Sequence, residues 1–124
     1  MAKKKSRRIK YATYKSLFRG CKCYDYDNET KTIVVDFPAE YLESKECTPD
    51  GWTKSGNHYG KDNGEPLHSE KYLHASINFY SRDGVKYYCA MVRGRQIFKT
   101  LDNVLNFQKA VDFCETLLNA QNAP

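Results

Sequence analysis

The reading of this chain turns on Leu73-His74-Ala75-Ser76-Ile77-Asn78-Phe79-Tyr80-Ser81-Arg82-Asp83-Gly84-Val85-Lys86-Tyr87-Tyr88-Cys89-Ala90-Met91-Val92. Leu73, Ala75, Ile77 and Phe79 alternate with His74, Ser76, Asn78 and Tyr80, the period that marks a half-buried strand. Arg82-Asp83-Gly84 predicts a hairpin turn. The returning strand, Val85 to Val92, sets Val85, Tyr87, Cys89 and Met91 on one face and Lys86, Tyr88, Ala90 and Val92 on the other. Arg93-Gly94 predicts a second tight turn, and Arg95–Lys99 a third strand. From Asn103 to Ala120 the period changes to about 3.6. Val104, Phe107, Val111, Cys114 and Leu118 form a stripe, widened by Leu105, Ala110, Phe113 and Leu117, with Asp102 as the expected N-cap. Two periods in neighbouring segments require facing layers. The stripe is therefore expected to pack on Ile77, Phe79, Tyr87 and Cys89.

Upstream, Cys21–Tyr26 and Lys31–Phe37 flank the turn-rich Asp27-Asn28-Glu29-Thr30 and predict another hairpin. The β-branched run Thr32-Ile33-Val34-Val35-Asp36-Phe37 reads as a central strand. Pro38 ends it and favours a short helix over Ala39–Ser44. Tyr14, Leu17 and Phe18 suit one or two helical turns within Tyr11–Arg19. Residues 48–71 carry Pro49, Gly51, Gly56, Gly60, Gly64 and Pro66 without periodicity, and are expected to be a long irregular loop anchored by Trp52. The predicted fold is α+β: a flexible basic arm over 1–10, then one domain over 11–124. That domain has a small antiparallel sheet of about five strands, in two hairpin groups, with a C-terminal helix on one face.

The chain has 124 residues, enough for one domain with a real core. No apolar run approaches the roughly 20 residues that span a bilayer, and no apolar segment follows the basic start as in a secretory signal. A cytoplasmic setting is expected, with the five cysteines as free thiols. Cys21 and Cys23 form C-x-C rather than a zinc knuckle, and Cys47, His58 and His68 follow no ligand spacing. No metal or other cofactor is expected. There is no phosphate-binding glycine loop of the P-loop type, no G-x-S-x-G and no H-E-x-x-H. His74 reads as a polar residue of an exposed strand face rather than as a catalytic partner of Asp83 or Glu70. A non-enzymatic protein is expected.

The charge is unevenly placed. The first 23 residues hold nine Lys or Arg and no acidic residue, while the net charge of the whole chain is only +5. A basic end on a net-acidic body suits an anionic partner, above all a nucleic-acid backbone. Residues 72–120, with Gly84-Val85-Lys86-Tyr87-Tyr88-Cys89-Ala90-Met91-Val92-Arg93-Gly94-Arg95-Gln96-Ile97-Phe98-Lys99-Thr100 at their centre, resemble the DNA-binding module of AP2 domains and of the arm-binding domains of phage-type integrases. That family runs as an aromatic strand, a basic turn, a basic returning strand and a helix. The same order also resembles the carboxy-terminal part of a double-stranded-RNA-binding domain, without the lysine cluster of its helix. Both resemblances imply nucleic acid as the partner.

The expected contacts are Lys3, Lys4, Lys5, Arg7 and Arg8 in the arm, and Lys86, Tyr88, Arg93, Arg95 and Lys99 on the sheet and its turns. Arg93 and Arg95 also suit plain solvated turn positions beside glycine. The competing class is a phage-type inhibitor or adaptor that docks on a host protein or complex, or a module for a small ligand.

Overall fold

The computed structural model of the chain describes residues 5–42 and 44–120. Lys3 and Lys4 lie outside the described residues. The elements run β1 (Lys5–Lys10), α1 (Tyr11–Leu17), β2 (Cys23–Asp27), β3 (Thr32–Phe37), α2 (Ala39–Leu42), β4 (Thr53–Ser55), β5 (His58–Asp62), β6 (Leu73–Arg82), β7 (Val85–Gly94), β8 (Phe98–Val104) and α3 (Phe107–Ala120). They make two antiparallel sheets. The small one has the order β1-β3-β2, and the large one has the order β4-β5-β6-β7-β8 with α3 on one face. The class is α+β. Among the described residues no helix is long and apolar enough to cross a membrane.

The small sheet corrects the flexible-arm expectation. Lys5–Lys10 is a strand, with Arg7 opposite Val35, Arg8 opposite Val34 and Ile9 opposite Ile33. Its single apolar residue decides this. Ile9 points inward to join Ile33, Val35 and Phe37, which Leu17 of α1 and Phe18 just after it cover. The strand's end is tied down as well. The Lys10 amide donates to the Asp83 carboxylate at 2.6 Å, and the Arg7 guanidinium donates to the Gly84 carbonyl at 3.2 Å.

The large sheet gathers a second core on its helix side. Tyr59, Ala75, Ile77, Tyr88, Ala90 and Val92 meet Phe107, Ala110, Val111, Cys114 and Leu118. The opposite side, at its hairpin end, gives Val85 and Tyr87 to the core under the small sheet. The expected faces of β7 are therefore exchanged: Tyr88 meets the helix and Tyr87 does not. The turn is the cause. Asp83 and Gly84 both have positive φ, 51° and 74°, as a two-residue hairpin turn of the primed kind requires. Arg82 is thereby set opposite Val85, Phe79 opposite Tyr88 and Ile77 opposite Ala90. Directly opposed residues share a face.

Three further corrections follow the same strands. Residues 48–71 are not all irregular, because β4 and β5 form a hairpin that extends the sheet. Trp52 anchors its start, buried in the core with Nε1 donating to Glu115 at 2.8 Å. The third strand of the C-terminal group is Phe98–Val104 rather than 95–99. It consumes the start assigned to the helix, which begins at Phe107. The cap is Asn106, whose side-chain oxygen accepts from the Lys109 amide at 3.2 Å.

Candidate nucleic-acid interface

Residues 1–37 hold ten Lys or Arg against four Asp or Glu, and residues 38–124 hold ten against eleven. The positive field therefore belongs to the first 37 residues, the segment that builds the small sheet. Alternation along β1 sends Arg7 and Ile9 to the inner side, and Arg8 and Lys10 to the outer. Arg8 is held there by the Asp25 carboxylate and by the Thr32 hydroxyl at 3.0 Å. Asp25 occupies the left-handed region at φ 55° in a bulge of β2.

Aromatic rings stand among these cations. Tyr11 stacks on Tyr14, with centroids 5.8 Å apart, and meets Tyr26 edge-on at 5.6 Å. The Lys15 ammonium sits 5.2 Å above the Tyr11 ring, and that of Lys22 lies 5.9 Å from Tyr24. Tyr11, Tyr24 and Tyr26 are all exposed. Exposed rings with ammonium groups beside them offer stacking surfaces and phosphate contacts together. Tyr11, Tyr24, Tyr26, Lys10, Lys15 and Lys22 were not among the expected contacts. The signal was present as tyrosines interleaved with lysines between residues 10 and 26.

The other expected residues are dispersed. Tyr88 is in the core, its hydroxyl donating to Glu46 at 2.6 Å. Lys86 pairs with the same carboxylate and lies 3.9 Å over the Phe79 ring. Tyr88 presents no free surface, and the part-exposed Lys86 ammonium is already committed to Glu46. Arg93 and Arg95 come together at the far end of β7. There they line a depression of about 510 Å³ with Leu67, Tyr72, His74 and Gly94. Lys99 is exposed on β8, opposite Val92 and so on the helix side, whereas Arg93 is on the other. Ten-residue β7 puts about 30 Å between Arg93 and the Arg7 end.

Between those ends the large sheet has a face that α3 does not cover. Its register sets His58, Asn78 and Cys89 in one row, Gly60, Ser76 and Met91 in the next, and Asp62, His74 and Arg93 in the third. His58 and His74 thus flank Gly60, and with Thr53, Ser55 and Asp62 they line a groove of about 400 Å³. Burial and the neighbouring His58, together with Arg93, hold the His74 imidazole below the ordinary histidine range, and Asp62 opposes them. Among the described residues no three His, Cys, Asp or Glu side chains gather as a metal site would need. The five cysteines are unpaired.

Comparison with protein-family models, with curated proteins and with solved structures returned no match.

Proposed function

We propose that this chain is a non-enzymatic nucleic-acid-binding protein that works in a cytoplasmic, reducing setting. The observation that carries the reading is the folding of the basic segment into β1 and α1, among exposed tyrosines. Charge held on a strand and a helix turn contacts phosphates at fixed spacing, and Tyr11, Tyr24 and Tyr26 offer faces for unpaired bases. Arg93 and Arg95 give a second contact at the other end of the large sheet. The strand–strand–strand–helix order resembling AP2 and integrase arm-binding domains is the order of β6, β7, β8 and α3, and it supports the same reading.

The test is a salt titration of binding to single-stranded and duplex oligonucleotides. Each phosphate contact removed, as in Lys15→Ala or Lys22→Ala, should lower the salt slope by about one. Tyr11→Ala with Tyr26→Ala should weaken single-stranded binding more than duplex binding. Absence of binding at about 50 mM salt sinks the reading. The second reading is an inhibitor or adaptor that docks on a host protein. The shallow apolar depression of about 460 Å³ at Leu101, Phe113 and Leu117, between β8 and α3, favours it.

A further inference from the structure

We infer that the groove over Gly60, between His58 and His74, is a binding site for a phosphate group. The inference does not rest on the nucleic-acid reading, because a phosphate monoester and a polynucleotide backbone present the same oxygens.

Three features of the groove carry it. The first is the close approach that glycine permits. A Cβ at position 60 would lie 3.2 Å from Cε1 of His58 and 3.6 Å from Cε1 of His74. Any side chain there would fill the space between the two rings. The second is the orphaned hydroxyl of Ser76. Ser76 is opposite Gly60 in the register, buried beside the groove rather than in its lining, is 4 % exposed, and its hydroxyl has no hydrogen-bond partner among the described residues. A buried hydroxyl without a partner is costly, and such groups usually have one once a ligand or water is in place. The third is the donor set. Two imidazoles and the hydroxyls of Thr53 and Ser55 line the groove. Protonated histidine and hydroxyl groups are donors to an oxyanion.

Charge decides between anion and cation. Around His74, the Arg93 guanidinium on β7 and the His58 imidazole on β5 oppose a further positive charge, and among the described residues Asp62 on β5 is the acidic side chain that acts on His74. Lys61 also borders the groove, with its ammonium 3.0 Å from Glu115. Two vicinal imidazoles repel each other once both are protonated, and an anion between them removes that repulsion. Anion binding and proton uptake are therefore linked. Affinity rises as pH falls through the titration of His74, by up to about tenfold per pH unit for each proton taken up.

The experiment is an NMR titration of the imidazole signals with inorganic phosphate at constant ionic strength. His68, exposed in the 63–72 connection, serves as the internal control. Saturable shifts of His58 and His74 in the millimolar range, with His68 unmoved, are the expected result. Sulfate, which does not titrate near neutrality, should bind more tightly at pH 6 than at pH 8. His58→Gln and Ser76→Ala should each weaken phosphate binding several-fold, with the backbone spectrum preserved. A short oligonucleotide that moves the same two signals assigns the backbone as the source. Shifts with phosphate but not with the oligonucleotide assign a free monoester. His58 and His74 signals that stay still up to about 50 mM phosphate, or that move only as His68 does, overturn the inference. Oligonucleotide binding lost while the phosphate shifts persist would sink the nucleic-acid reading and leave the phosphate site standing.

Discussion

Glu46 lies between the elements it joins. Its carboxylate accepts from the Tyr59 hydroxyl at 2.8 Å and the Tyr88 hydroxyl at 2.6 Å, and it pairs with Lys86. Burial pushes its carboxyl up, but the bonds from Lys86, Tyr88 and Tyr59 outweigh burial and hold it below the ordinary 4.5. A group depressed in the folded state stabilises fully above its unfolded value. Its contribution is lost as pH falls from about 4.5 through the folded value. Glu46→Ala should cost about 2–4 kcal/mol, because it leaves two tyrosine hydroxyls and an ammonium without their acceptor. Tyr88→Phe removes one bond of the three and should cost about 1 kcal/mol. Urea midpoints at pH 7 and pH 3 check both. The gap between wild type and Glu46→Ala should narrow at pH 3, and an equal gap at both values would count against this account. The sequence marked Lys86 and Tyr88 as ligand contacts because it held no sign that Glu46, some 40 positions earlier, would claim them.

At the scale of the elements, period was readable and parity was readable but missed. The alternation along β6 and the stripe along α3 follow from Leu73, Ala75, Ile77 and Phe79 and from Phe107, Val111, Cys114 and Leu118. The face of β7 follows from the turn. A two-residue connection at Asp83-Gly84 pairs odd residues of β6 with even residues of β7, so Ile77 must stand beside Ala90 and Phe79 beside Tyr88. Short strands were harder. β4 has three residues, all exposed, and β5 buries only Tyr59, so neither leaves a period in the sequence. Their place is settled by the backbone bonds of β4 to β5 and of β5 to β6, and by Trp52 docking beside α3. The helix face admits a direct check. Val111→Asp would place an unpaired charge among Phe107, Cys114 and the Ala90 face and should unfold the domain or cost more than about 4 kcal/mol. Asn106→Ala should cost about 1 kcal/mol by removing the cap, whereas Asp102→Ala, at the position the sequence favoured, should cost less than about 0.5. Thermal melts of the two variants decide which residue caps α3.

Over the whole molecule, charge and fold meet in β1. Its four Lys or Arg made it look like a solvated arm, and composition alone supports that view. What overrides composition is one isoleucine in register with β3, and an open edge of β3 that needs a partner. The same six residues therefore support the small sheet and supply its positive field, and deleting them would confound the two roles. Two substitutions separate them. Ile9→Ala keeps every charge and empties a position only 2 % exposed, and should cost about 2–4 kcal/mol. Lys5→Gln with Lys10→Gln removes two exposed charges and should change stability by less than about 0.5 kcal/mol per site. Under folding conditions Ile9→Ala should keep the salt slope of oligonucleotide binding, and the double Gln variant should lower it by up to about two. An Ile9→Ala protein that melts like the wild type would return β1 to the status of an arm. A double Gln variant with an unchanged slope would move the phosphate contacts away from β1, to Lys15, Lys22 and the Arg93–Arg95 end.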